Sequence, residues 1–186
     1  TIGGTAEQMS ALREQAKLVG SSTSFSLAEV AKAQRVLAQA GLEAQDILRA
    51  TPDVLEFAQA GDFKNLEDAA ELLVDVSSQT GKTAKDFKQL SDVMVATADT
   101  STTSAQQLAF GYKYSATLAK EMGTEFKETS AALALLTNNG IKGESAGTAL
   151  RGMMMSLLNP TKEAEKLFKK LGFNLEELNP AANGLI

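Results

Sequence analysis

The chain has 186 residues, 44% of them hydrophobic and 22% charged, with a net charge of −5. It holds no cysteine and no histidine, which excludes disulfides, thiolate chemistry and histidine-based acid–base or metal chemistry. The negative balance makes it a poor ligand for phosphate backbone, and 5% aromatic content without tryptophan argues against an aromatic-cored sheet.

Taken in chain order, start and stop signals divide the sequence into short helices. Thr5 with Gln8 forms a capping box for a helix to about Val19, closed by Gly20. Ser26 with Glu29 forms a second box, and Leu27, Val30, Val36 and Leu37 give that helix an apolar face up to Gly41. A short helix near Glu43 to Ala50 follows, and Pro52 is expected to open a separate one ending at Gly61. Asn65 starts a helix with Leu66, Ala69, Leu73 and Val76 at helical spacing, stopped by Gly81. Thr83 with Asp86 opens the next, which carries Phe87, Leu90, Val93 and Met94. The Ser/Thr cluster from Thr100 to Ser104 reads as a turn, with Ser104 and Gln107 capping a helix to about Met122. Helices from Thr124 to Asn139-Gly140, from Ser145 to Leu158, and from Asn159-Pro160 to Gly172 complete the series, with at most one or two turns after Asn174.

The expected fold is all-α, a compact bundle of about 8 to 10 short helices. The domain is placed at 1–172, with sub-repeats of about 5–80 and 83–172, and 173–186 as a linker or the start of a further segment. The chain reads as part of a longer polypeptide. The repeat rests on Val36 to Leu42, followed by Leu48-Arg49, against Leu135 to Ile141, followed by Leu150-Arg151. The glycines Gly41 and Gly140 are 99 residues apart and the Leu-Arg pairs 102, implying three extra residues in the second copy. Upstream, Ser24 to Leu27 is set against Thr103 to Leu108 as a looser match.

Little in the sequence supports chemistry. Thr80-Gly81-Lys82-Thr83 ends like a phosphate-binding loop, but Val76 stands where that motif needs glycine and a helix precedes it. It reads as a helix stop and a cap. The acidic groups Glu43/Asp46, Glu67/Asp68/Glu71, Glu163/Glu165 and Glu176/Glu177 mostly occupy first turns, where carboxylates favour the positive end of the helix dipole. No alternating oxygen ligands surround a glycine as a calcium loop would need. Lys113, Lys120, Lys127 and Lys142 near Tyr112 and Tyr114 could suggest base stacking, but they are scattered among acids. The tyrosines are expected where a helix meets a neighbour, hydroxyls near water. No enzymatic activity, cofactor or metal is therefore expected.

The segment Asn138 to Gly152 carries the strongest signal. Glycine inside a helix costs about 1 kcal/mol relative to alanine. Glycines three or four residues apart between helices therefore point to close backbone approach, and Gly143-x-x-x-Gly147 has the spacing for a tight helix crossing. The candidate close-packing or partner-contact motif is Gly140, Gly143, Gly147, Arg151 and Gly152. Met153 to Met155 forms an adjacent flexible apolar strip, expected in the core. The longest apolar cluster, Met153 to Leu158, is far below the roughly 20 residues of a membrane span.

This segment resembles the tape measure proteins of long-tailed phages and prophages. The resemblance is carried by Asn138-Asn139-Gly140-Ile141-Lys142-Gly143, Ser145 to Arg151, and Leu157-Leu158-Asn159-Pro160-Thr161-Lys162-Glu163-Ala164. Ser101 to Leu108, Glu128 to Leu133 and Phe25 to Leu42 are similar to further family segments, so the likeness covers about residues 10 to 172. Asn139 and Met153 to Met155 depart from the family pattern without disturbing the helices.

The resemblance implies a structural virion protein that scaffolds tail tube assembly, sets tail length and leaves ahead of the genome during host entry. It implies tail tube protein, tail assembly chaperones and baseplate or tail-tip hub proteins as partners, with several copies about the tail axis. It places the protein inside the tail tube, in the host cytoplasm during assembly, and at the host envelope on ejection, without sequence-specific nucleic-acid binding. The rival readings are a helical adaptor holding a partner peptide and an envelope-perturbing module active after ejection.

Overall fold

A computed structural model describes residues 5–173, and within them the chain is all-α, with nine α-helices, one 3-10 turn and no strand. It divides into two compact units between Ala96 and Thr97. The first unit contains α1 (Ala6–Ser22), α2 (Leu27–Gln39), α3 (Ala44–Ala60), α4 (Leu66–Thr80), the 3-10 turn Ala84–Asp86 and the start of α5 (Phe87–Asp99). The second holds the end of α5, then α6 (Ala105–Glu121), α7 (Phe126–Asn138), α8 (Gly143–Leu158) and α9 (Lys162–Lys170).

Local chemistry explains most boundaries. The Thr5/Gln8, Ser26/Glu29 and Thr83/Asp86 capping boxes close in both directions, satisfying donors that a helix start leaves orphaned. Gly81 ends α4 at φ 71°, a left-handed turn that a β-carbon would strain. Thr80 to Thr83 is thus a helix stop and a cap.

Several expectations are corrected. Gly20 does not end α1, which continues to Ser22. A β-carbon on Gly20 would lie 2.6 Å from the Leu27 backbone nitrogen, so glycine there admits the start of α2. The helices expected on either side of Pro52 are one continuous α3. Proline removes the N–H that would reach the carbonyl four residues back, here that of Leu48. Gln15 Nε2 donates to this Leu48 oxygen at 2.7 Å, supplying the missing bond from α1. α7 begins at Phe126 after Glu125, two residues later than the expected start at Thr124, and α8 begins at Gly143, two before Ser145. The turns expected after Asn174 lie outside the described residues.

Helix positions recur at the 99-residue offset of Gly41 and Gly140, while the 102-residue offset of the Leu-Arg pairs does not recur. The starts of α1 and α6, of α2 and α7, and of α3 and α8 are each 99 residues apart. Ser26 therefore corresponds to Glu125, and Ser104 to Thr5, which replaces the looser upstream match. The second copy carries no three-residue insertion, so Leu48-Arg49 and Leu150-Arg151 lie about one turn apart on corresponding helices. The turns agree closely: Gly41 at φ 91° and Gly140 at φ 88° each follow a 13-residue helix. Leu42 N–H returns to Leu37 O at 3.2 Å and Ile141 N–H to Leu136 O at 3.0 Å. Both are Schellman ends.

In the first unit, α2 packs on α1 and α4, and α3 on α4 and α1, around Val30, Leu37, Ile47, Val54, Phe57, Leu66 and Leu73. In the second, α6 and α8 form the principal pair and α7 packs on both, around Leu108, Tyr112, Leu133, Leu150 and Met154. Of the methionine strip only Met154 is core; Met153 and Met155 are exposed. Successive helical residues are about 100° apart, so three in a row cannot share one buried face.

Candidate functional site

Gly147 lies at the crossing of α6 and α8, against Gly111. A β-carbon placed on Gly147 would overlap the Gly111 carbonyl oxygen, with Gly111 C at 2.9 Å and Cα at 3.0 Å. One placed on Gly111 would meet Leu133 Cδ2 at 3.0 Å and Cδ1 at 3.2 Å, with the Gly143 carbonyl oxygen at 3.6 Å. Three helices thus approach through two glycines, and at Gly147 the contact is backbone on backbone, closer than a side chain would permit. The Gly111 carbonyl also accepts the buried Ser115 hydroxyl at 2.9 Å. Gly111 is missing from the sequence-derived set. A glycine in mid-helix, between Phe110 and Tyr112, was the available signal.

The other motif residues divide by position. Gly140 and Gly143, at φ 88° and 57°, make the turn into α8, and a β-carbon on either would meet nothing within 4 Å. Arg151 and Gly152 are on the exposed face of α8, Gly152 beside open space. The Ser/Thr turn before α6 secures the other side of the segment. Thr102 N–H donates to the Asn138 side-chain Oδ1 at 2.8 Å and the Thr102 hydroxyl to Thr137 O at 3.0 Å, a backbone carbonyl in the last turn of α7.

The two tyrosines behave differently. Tyr112 is fully buried, stacked on Phe126 with ring centroids 4.4 Å apart. Its hydroxyl donates to Phe126 O at 2.7 Å and is hydrogen-bonded to Ser130. This corrects the expectation of a hydroxyl near water, and burial raises its pKa well above the ordinary phenol range. Tyr114 remains partly exposed and bonds Glu144 of α8; that bond, then burial and the Glu144 charge, raise its pKa.

The acidic groups serve helix ends and ion pairs. Asp46 pairs with Arg49 at 3.0 Å, Glu67 with Arg35 at 3.1 Å, and Asp68 accepts from Asn65 Nδ2 at 2.9 Å. Asp53 is the outlier: burial, then the neighbouring Glu56, raises its pKa. Glu176 and Glu177 lie outside the described residues. Among the described residues no group of three or more carboxylates is placed to hold a metal ion. No helix among them is long and apolar enough to cross a membrane. The geometry at Gly111, Gly143 and Gly147 is one of backbone contact.

Comparison with known proteins adds the decisive observation. The family described as phage-related minor tail protein matches residues 13–186. The chain belongs to that family. It is 32% identical over 177 residues to the tape measure protein of Pneumococcus phage Dp-1, covering 95% of this chain and 15% of that protein. It is also 32% identical over 165 residues to the probable tape measure protein of Escherichia phage P2, covering 89% of this chain and 20% of that protein. The chain thus spans a fifth or less of the length of these relatives. No solved structure matches it. Family membership makes it a phage tail protein with a structural role.

Proposed function

We propose that this chain is a helical domain of a tape measure protein, which scaffolds tail tube assembly, sets tail length and is expelled during genome delivery. The supporting observation is the family match over residues 13–186, joined by two relatives at 32% identity that bear the tape measure name. In this reading the domain works by touching other macromolecules and has no reactive centre. Its partners are tail tube protein, tail assembly chaperones and tail-tip hub proteins, with several copies about the tail axis in the tube lumen. Gly147 serves the crossing with α6 and Gly140 and Gly143 the turn before it, while exposed Arg151 and Gly152 are offered to a partner. A net charge of −5 suits a wall past which DNA must slide without being held.

The test is an in-frame deletion of these 186 residues in the phage gene that encodes them, with particles counted by electron microscopy. The expected result is filled heads without tails, rescued by the domain supplied within its parent chain. Normal numbers of tails at unchanged length would overturn the reading. The length-setting role predicts that the parent chain and the tail scale together, at about 1.5 Å per residue for extended helix.

A further inference from the structure

The 99-residue repeat leaves one place in the second unit without its counterpart. In the first unit α4 packs on α2 and α3, and Val36 and Val54 on those helices are 8% and 0% exposed. Their counterparts, Leu135 on α7 and Met153 on α8, are 57% and 45% exposed, and neighbouring Met155 is 46% exposed. By order along the chain α9 corresponds to α4, yet it joins none of the principal helix pairings. α9 also has its own uncovered stripe. Leu167 and, just past the end of α9, Leu171 and Phe173 are 55%, 62% and 49% exposed, Phe168 beside them is half-buried, and lysines and glutamates occupy most of the rest of the helix.

We propose that α9 of the same chain is a strap that closes on this α7/α8 face, antiparallel to α8, and completes the second unit as α4 completes the first. The dimensions fit. Asn159 to Thr161 is a three-residue connection of the length that joins antiparallel neighbours. Met153 lies five residues before the end of α8 and Leu167 five after the start of α9, so closure sets them side by side. α9 then runs about 13 Å back along α8. This carries Leu171 and Phe173 toward the α7–α8 turn, where Leu135 stands three residues before the end of α7. The capped start of α9, with Thr161 Oγ1 accepting from Ala164 N–H at 3.2 Å, survives this rotation because the cap is local.

The native chain has no cysteine, which makes the test clean. Leu135→Cys and Leu171→Cys are introduced together and the protein is oxidised at low concentration. A disulfide needs β-carbons within about 4 Å, so closure is read as loss of both free thiols in a monomer. Thiols that stay free overturn the proposal. Disulfide-linked dimers overturn it too, assigning the face to a second copy. Because either cysteine could disturb packing, Leu171→Asp is measured independently. It should raise 1-anilinonaphthalene-8-sulfonate fluorescence while helical circular dichroism is kept, and unchanged fluorescence would also overturn closure.

Discussion

The two copies of the three-helix repeat solve one packing problem by opposite means. In the second, Leu133 of α7 rests on Gly111 of α6, which lies against Gly147 of α8. The positions 99 residues earlier are Gln34, Leu12 and Leu48. There the approach is bridged by amides. Buried Gln34 donates from Nε2 to Leu12 O at 3.2 Å and to Gln15 Oε1 at 3.1 Å, and Gln15 Nε2 donates to Leu48 O at 2.7 Å. The reason is local. Pro52 in α3 frees the Leu48 carbonyl, whereas its counterpart in α8 is Arg151, which keeps its N–H. A copy with an orphan carbonyl needs a polar bridge; a copy without one can close through bare backbone.

The comparison breaks most sharply at Gly147→Ala. In an open helix this change stabilises by about 1 kcal/mol. Here the new methyl meets Gly111 backbone, which cannot swing aside as a side chain would. Overpacking of this kind costs about 3 kcal/mol, so a net loss of about 2 kcal/mol is expected in urea unfolding. Leu48→Ala, at the matching place in the first unit, should cost less because that half-buried side chain is not wedged between backbones. Equal losses at the two sites would end the distinction drawn between them.

The polar bridge is tested at Gln15→Ala. Losing the donor to Leu48 O leaves a carbonyl that Pro52 cannot serve, at about 2 kcal/mol. Pro52→Ala in the same background returns an N–H within the helix and should recover most of it. A double-mutant cycle with no coupling between Gln15 and Pro52 would show that the bridge does not exist to serve that carbonyl.

Much of the fold was legible because it is written locally. Capping boxes at Thr5, Ser26 and Thr83 and left-handed glycines at Gly41, Gly81 and Gly140 need only neighbours in sequence to act. What escaped was decided by distant residues. Pro52 reads as a helix start until Gln15 is known to reach Leu48, and Gly20 reads as a stop until Leu27 is seen against it. The same applies at the crossing, where Gly147 stood out within its glycine-rich segment but its partner Gly111 lay 36 residues away. Likewise the register of the repeat follows helix starts, and the recurring Leu-Arg pair misled because leucine and arginine are common helix residues.

Glycines within the motif should also differ from one another. Gly152 is helical with nothing within 4 Å of a would-be β-carbon, so Gly152→Ala should stabilise by up to about 1 kcal/mol. Opposite signs at Gly147 and Gly152, measured by the same denaturation, would separate packing from partner contact within one segment. In the phage, Gly152→Ala that stabilises the domain yet reduces tail yield would locate a partner at that face.

The smallest effect concerns acid. Two helix starts in the first unit are closed by ionised carboxylates: the Ser26 hydroxyl and N–H lower the pKa of Glu29, and the Thr83 N–H and hydroxyl lower that of Asp86. In the second unit the position matching Ser26 is Glu125, whose side chain forms no cap hydrogen bond. A carboxylate with a depressed folded pKa contributes stability above its unfolded value, and this is lost as pH falls through the folded value. Asp53 acts in the opposite sense: its raised pKa makes ionisation a cost at neutral pH that protonation relieves. With two groups against one, amide exchange in the first unit should quicken more than in the second between about pH 5 and pH 2. Glu29→Gln with Asp86→Asn keeps hydrogen-bonding caps but removes the titration, so it should flatten that difference, whereas Asp53→Asn should steepen it. A difference that survives the double substitution would place the acid sensitivity outside the caps.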